Sequence, residues 1–165
     1  EVTKTHKAHV LVAVLAHGLT PVEAGKLHVK VIATCLKQPN AIGVYVSGTV
    51  FQPEFYIEVA NMMKEDEENL PVLTWVYLGL YRNEEGNNIY TYGMTAFGKE
   101  EIEILGSKHN FPELQRFMLE IAYYVIGSDV TLREGETLGV SEEQKLPITR
   151  SKGVAVEGMT LKIEY

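Results

Sequence analysis

A chain of 165 residues that is 45% hydrophobic and 22% charged has the composition of a folded globular protein, and at that length roughly two thirds of the unfolded surface can be buried. Fifteen Lys and Arg against 22 Asp and Glu leave a net charge of −7, the wrong sign for a surface that gathers phosphates by releasing counterions, so nucleic acid is excluded as a partner. No apolar run approaches the ~20 residues of a bilayer-spanning helix, which argues against a membrane protein. The one cysteine, Cys35, lies in an apolar stretch where a free thiol acts as a small hydrophobe, as in a reducing compartment.

Glu1 to Lys7 carry no initiator Met and read as the polar tail of a helix, so the chain is expected to lack its natural start. Ala8 to Ala16 is a nearly continuous, Val-rich apolar run that predicts a strand buried on both faces. Thr20-Pro21-Val22-Glu23 couples a capping hydroxyl to a Pro at the first helical position and a Glu that can return a bond, which predicts a helix to about Lys37. Ala24, Leu27, Val31 and Cys35 line one side of it, and Gly25, Val29, Ile32 and Leu36 the neighbouring side. Ile42 to Val46 predicts a second short strand, the residues from Ser47 to Gln52 a loop, and Pro53 to Lys64 a second helix. The acidic run Glu65 to Glu68 reads as a solvated helix end or linker.

Val72 to Tyr81 predicts a long strand, Asn83 to Asn87 a turn, and Asn88 to Tyr92 its hairpin partner. Glu101-Ile102-Glu103-Ile104 alternates as a strand with one wet face does. Asn110-Phe111-Pro112-Glu113 opens a third helix that reaches about Ile126, and short strands follow near Leu146 to Thr149 and Met159 to Glu164. A strand, helix, strand order at the start predicts a right-handed βαβ unit with a parallel pair, whereas the central hairpin is antiparallel. The expectation is one α+β domain over residues 1–165, a mixed sheet packed by about three helices.

If the first two strands are parallel, the loops holding His17 and Thr20 and holding Ser47, Thr49 and Gln52 leave their carboxyl ends. Each precedes a helix N-terminus, an arrangement that suits an anion. Gly, Ser and Thr are also ordinary turn and capping residues. Ser47 lacks the flanking Gly residues of a nucleophile elbow, Tyr45 and Thr49 standing in those places. His6, His9, His17, His28 and His109 do not reproduce a zinc spacing, so neither metal nor cofactor is expected. In the stretch from Tyr90 to Glu103, Tyr90 and Tyr92 share a strand face. Glu101 and Glu103 can project together as an acid and base pair or hold a hard cation, although such a pattern is more often a wet strand face. Lys145, Arg150 and Lys152 read as a solvated strand edge.

Tyr90-Thr91-Tyr92-Gly93-Met94, Phe97 to Glu103, Asp129 to Gly139, Glu142 to Ser151 and Gly158 to Tyr165 resemble the bacterial domain-of-unknown-function family 4261, with a similarity that spans essentially the whole chain. The resemblance implies an α+β fold, a bacterial cytoplasmic protein and, in most members, a further N-terminal region. It brings no established activity and no functional residues. With no complete catalytic constellation, the expected function is a protein-interaction or regulatory, immunity-like module whose partner is another protein or a second copy in a homodimer. The alternative is a small-ligand-binding protein or enzyme with an anion site at His17, Thr20, Ser47, Thr49 and Gln52, joined by Tyr92 and Glu101.

Overall fold

A computed structural model describes residues 2–65, 68–139 and 145–165. The chain divides into two compact units, Glu1–Trp75 and Val76–Tyr165. The first holds α1 (Val2–Thr5), α2 (Pro21–Leu36), β1 (Val44–Val46), β2 (Thr49–Phe51), α3 (Pro53–Glu65) and a single turn, α4 (Val72–Trp75). Helix α2 starts where the sequence says, on a full capping box: the Glu23 N–H donates to the Thr20 hydroxyl at 3.2 Å and the Thr20 N–H donates to the Glu23 carboxylate at 2.8 Å. Its buried stripe is Val29, Ile32, Ala33 and Leu36, and it packs with α3, which buries Tyr56, Val59, Ala60 and Met63. Leu27 and Val31 are partly exposed and Cys35 is exposed, so of the two neighbouring stripes only the one through Val29, Ile32 and Leu36 enters the core. Gly25 lets α2 approach the Trp75 indole, whose ring would lie 3.0 Å from an added Cβ.

Three expectations about this unit are overturned. Ala8 to Ala16 forms no strand: it runs without helix, turn or bend, and Val10, Leu11 and Leu15 are 81%, 85% and 83% exposed. The expected parallel pair and βαβ unit are therefore absent among the described residues, because β1 turns back at once and pairs antiparallel with β2. The turn is built for that. Ser47 and Gly48 take φ of 48° and 79°, the left-handed pair that matches a two-residue hairpin to strand twist. The predicted strand from Val72 also begins instead as a helical turn, since the Pro71 carbonyl accepts both the Thr74 N–H at 2.9 Å and its hydroxyl at 2.8 Å. Of the predicted acidic linker, residues 66 and 67 lie outside the described residues.

The second unit carries β3 (Tyr77–Arg82), β4 (Asn87–Tyr92), a 3-10 turn (Met94–Phe97), β5 (Ile102–Ser107), α5 (Phe111–Gly127), β6 (Thr137–Gly139), β7 (Lys145–Lys152) and β8 (Met159–Ile163). The sheet order is β3-β4-β5-β8-β7-β6. Every pairing is antiparallel except β5 with β8, so the sheet is mixed and the class is α+β. Helix α5 opens on a second capping box, Asn110 with Glu113, and packs on β3 and β4. Leu114, Met118, Ile121 and Val125 from α5 are buried, as are Ile89, Ile102, Ile104, Ile148, Leu161 and Ile163 from the strands; each such side chain contributes about 1.5–3 kcal/mol. The Tyr165 ring stacks between Phe117 and His109, with centroids 3.8 Å and 4.2 Å away.

Two expectations here are corrected. Glu101 and Glu103 do not edge a wet face, being 7% and 0% exposed. The parallel pair exists, but it joins β5 to β8 rather than the first two strands. Lys145, Arg150 and Lys152 are exposed on β7, each where the strand has a neighbour on one side only, β6 at Lys145 and β8 at Arg150 and Lys152, and Arg150 pairs with Glu100 at 2.8 Å.

Candidate functional site

The residues nominated for the anion crevice hold turns and helix starts. His17 is exposed in the turn before α2, and Thr20 is the cap of that helix. Ser47 forms the hairpin turn, Thr49 begins β2, and the Gln52 carbonyl accepts the Tyr56 N–H at 3.2 Å as α3 starts. No hydrogen bond ties the His17 and Thr20 group to the Ser47, Thr49 and Gln52 group among the described residues. Tyr92 and Glu101 belong to the second unit, where Tyr92 is 53% exposed at the end of β4.

Glu101 is a buried anchor. Its carboxylate accepts the Thr91 hydroxyl at 2.7 Å, the Gly93 N–H at 2.8 Å and the Thr95 N–H at 3.4 Å, and so holds the turn that leaves β4. The Thr91 hydroxyl in turn accepts the Ile102 N–H at 2.8 Å, which stitches β4 to the start of β5. A carboxylate with these donors is committed to its loop.

Glu103 is the corresponding anchor on the sheet. It accepts the Val154 N–H at 3.1 Å, the Ala155 N–H at 2.7 Å and the Thr160 hydroxyl at 2.9 Å, and pairs with the Lys162 ammonium at 2.7 Å. Burial pushes its carboxyl up, but Lys162, the two backbone N–H groups and Thr160 outweigh that and hold it below the usual carboxylate range. Strand register sets Gly79 beside Tyr90, Tyr90 beside Glu103, Glu103 beside Lys162, and Lys162 beside Thr149. The Tyr90 ring lies over Gly79, where any Cβ would collide with it. Tyr81, at 6.4 Å between ring centroids from Tyr90, has a buried hydroxyl with no hydrogen bond among the described residues; burial, then Glu103, Tyr90 and Glu85, raise its phenol. Glu103 has its lone pairs occupied by donors. The row is a clamp on the loop before β8, with no vacant position for a general base.

The sequence reading missed this clamp because its halves lie 51 and 57 residues apart. The only local trace is the pair of glycines, Gly153 and Gly158, that bracket the clamped loop. Among the described residues no group of three or more His, Cys, Asp and Glu could hold a metal ion. No helix among them is long and apolar enough to cross a membrane. A groove of about 710 Å³ runs between α5 and the segment leading into β6, with Phe117, Ile121, Tyr124 and Leu138 on its walls and Glu120 and Glu136 among its polar groups.

Two features lack the partners their type demands. Ala8 to Ala16 is an apolar segment without regular secondary structure, tied to α2 by the His28 Nε2–H donating to the Val12 carbonyl at 3.3 Å. Val12 and Val14 are half-buried, whereas Val10, Leu11, Ala13 and Leu15 are exposed. The second feature is β3, a six-residue strand at the end of the sheet, regularly paired with β4 and with no second strand paired to it among the described residues. Sheet edges of this kind are ordinarily blunted by Pro, inward Lys or a bulge, and β3 has none of the three.

Residues 90–164 match the model of the family described as Domain of unknown function (DUF4261). The resemblance read from the sequence is thus found over that stretch of the second unit. No curated protein matches the chain, and no solved structure does.

Proposed function

With a family match that carries no activity, we propose that this chain is a protein-interaction module of the cytoplasm whose docking element is the extended segment Ala8 to Ala16. One observation carries the reading. A run of nine apolar and His residues with strong β-propensity leaves Val10, Leu11 and Leu15 more than four fifths exposed, at a cost of about 1.5–3 kcal/mol for each large side chain kept in water. Such a segment is stabilised by joining a sheet, where pairing satisfies the backbone and the partner covers the side chains. The saturated carboxylates of Glu101 and Glu103 support the same reading from the other direction, since both serve the scaffold.

The test compares the wild-type chain with the double variant Leu11→Asp, Leu15→Asp in quantitative association experiments, with circular dichroism as the control for folding. Polypeptide binding, to itself or to a purified partner, that falls at least about tenfold in the variant while its spectrum is unchanged is the expected result. Binding that is the same in both proteins would remove the segment from the function.

A further inference from the structure

We propose, building on that reading, that the strand and the open edge belong together between two copies of this chain. Ala8 to Ala16 of one copy adds antiparallel to β3 of the other, and the exchange is reciprocal.

Length is the first argument. Val10 to Leu15 is six residues, and β3 is six residues from Tyr77 to Arg82. The other candidate acceptors are shorter: β6 at the far end of the sheet and both strands of the β1 and β2 hairpin have three residues each. A three-residue edge is itself a means of discouraging addition, whereas β3 offers a full strand in unbroken register.

Charge gives the direction. Residues 2–22 contain Lys4, Lys7 and three His with no Asp or Glu, in a chain whose net charge is −7. Strand β3 runs directly into the turn Asn83-Glu84-Glu85, where both glutamates are exposed. Antiparallel pairing with Val10 opposite Arg82 brings Lys7 beside Glu84 and Glu85, and it separates Lys7 from them if the strand is reversed. Electrostatic complementarity of this kind selects orientation more than it adds affinity.

The apolar surfaces also agree. Val10, Leu11 and Leu15 are exposed along the segment. Tyr77 and Leu80 on β3 are each 37% exposed, apolar surface that an added strand would cover. One copy supplies one strand and one edge. Two copies related by a two-fold axis satisfy both strands and both edges at once, the closed, isologous arrangement that most oligomers adopt.

The experiment measures sedimentation of the full chain over a range of concentrations together with amide hydrogen exchange. The expected result is a dimer in which the amides of residues 10–15 and of 77–82 gain protection as the dimer forms. Ala13→Pro removes an N–H and fixes φ at an exposed position of the pairing segment, and should weaken dimerisation by about tenfold or more. Ala13→Val keeps that N–H and should retain the dimer. Dimerisation unmoved by Ala13→Pro, or without protection over 77–82, overturns the proposal. A monomer at every concentration overturns it too, and then association with a different polypeptide that depends on Leu11 and Leu15 still supports the interaction reading, so the two can fail separately.

Discussion

Replacing Glu103 by Gln tests whether the clamp is structural, and the structure sets the size of the effect. The carboxylate is fully buried and accepts from two backbone N–H groups, one hydroxyl and the Lys162 ammonium. Gln keeps the shape but carries a single acceptor oxygen, and its amide NH2 must face donors that already point at it. Stripping the partner from a buried ion pair costs about 3–5 kcal/mol. The Lys162 side chain keeps 14% exposure and can reach some water, so the low end, about 3 kcal/mol, is expected. For a unit the size of Val76–Tyr165 that corresponds to a fall in Tm of roughly 12–24 °C. Urea unfolding followed by circular dichroism, with exchange of the Ile102 and Ile104 amides as a local readout, measures it. In a cycle with Lys162→Met, the pair should show a coupling of at least about 1 kcal/mol. A loss below about 1 kcal/mol, or strict additivity with Lys162→Met, would refute the reasoning.

The same group fixes an acid response. Its carboxyl titrates below the ordinary 4.5 in the folded chain, so its contribution is fully present above about pH 4.5 and is lost as pH falls through the lower folded value. Stability measured from pH 6 downward should therefore drop below about pH 4.5, and Glu103→Gln should flatten that limb. Gly79→Ala should cost about 1–3 kcal/mol, because a methyl there meets the Tyr90 ring. Tyr90→Val should recover part of that loss in the double variant, read by denaturant midpoint; a neutral Gly79→Ala would contradict the packing. Thr20→Ala should destabilise the first unit by about 1 kcal/mol while Thr20→Ser stays near wild type. Trp75 fluorescence reports that transition, since Trp75 is the one tryptophan and lies in that unit.

How much of this was legible in the sequence depended on how local the cause was. Helices α2, α3 and α5 were placed within a residue or two because their starting signals, Thr20 with Pro21 and Glu23 or Asn110 with Pro112 and Glu113, act within one turn. The turn after β3 and the short strands β7 and β8 were legible for the same reason. Ala8 to Ala16 was misread because apolarity reports a tendency to be buried, and a strand also needs a neighbour, which β1 denies it by folding onto β2. Glu103 was misread because alternation with Ile102 and Ile104 is the same whether the polar side meets water or a lysine from β8. Of the nominated site residues, Thr20, Ser47 and Gln52 lie at turns and helix starts, where capping and turn chemistry account for them.

The single parallel seam has a consequence for the route by which the second unit assembles. Strands β3, β4 and β5 form one meander and β6, β7 and β8 another, each closed by neighbours in sequence. Their strands pair in parallel at Ile102 with Leu161 and at Glu103 with Lys162. Local hairpins close in microseconds, whereas a junction across such a span must first overcome the entropy of a long loop. The two meanders are therefore expected to form early and the seam late, with the ionic contact at its centre completing the native sheet. Until that seam closes β5 and β8 are both open edges, so slower closure would lengthen the exposure of both.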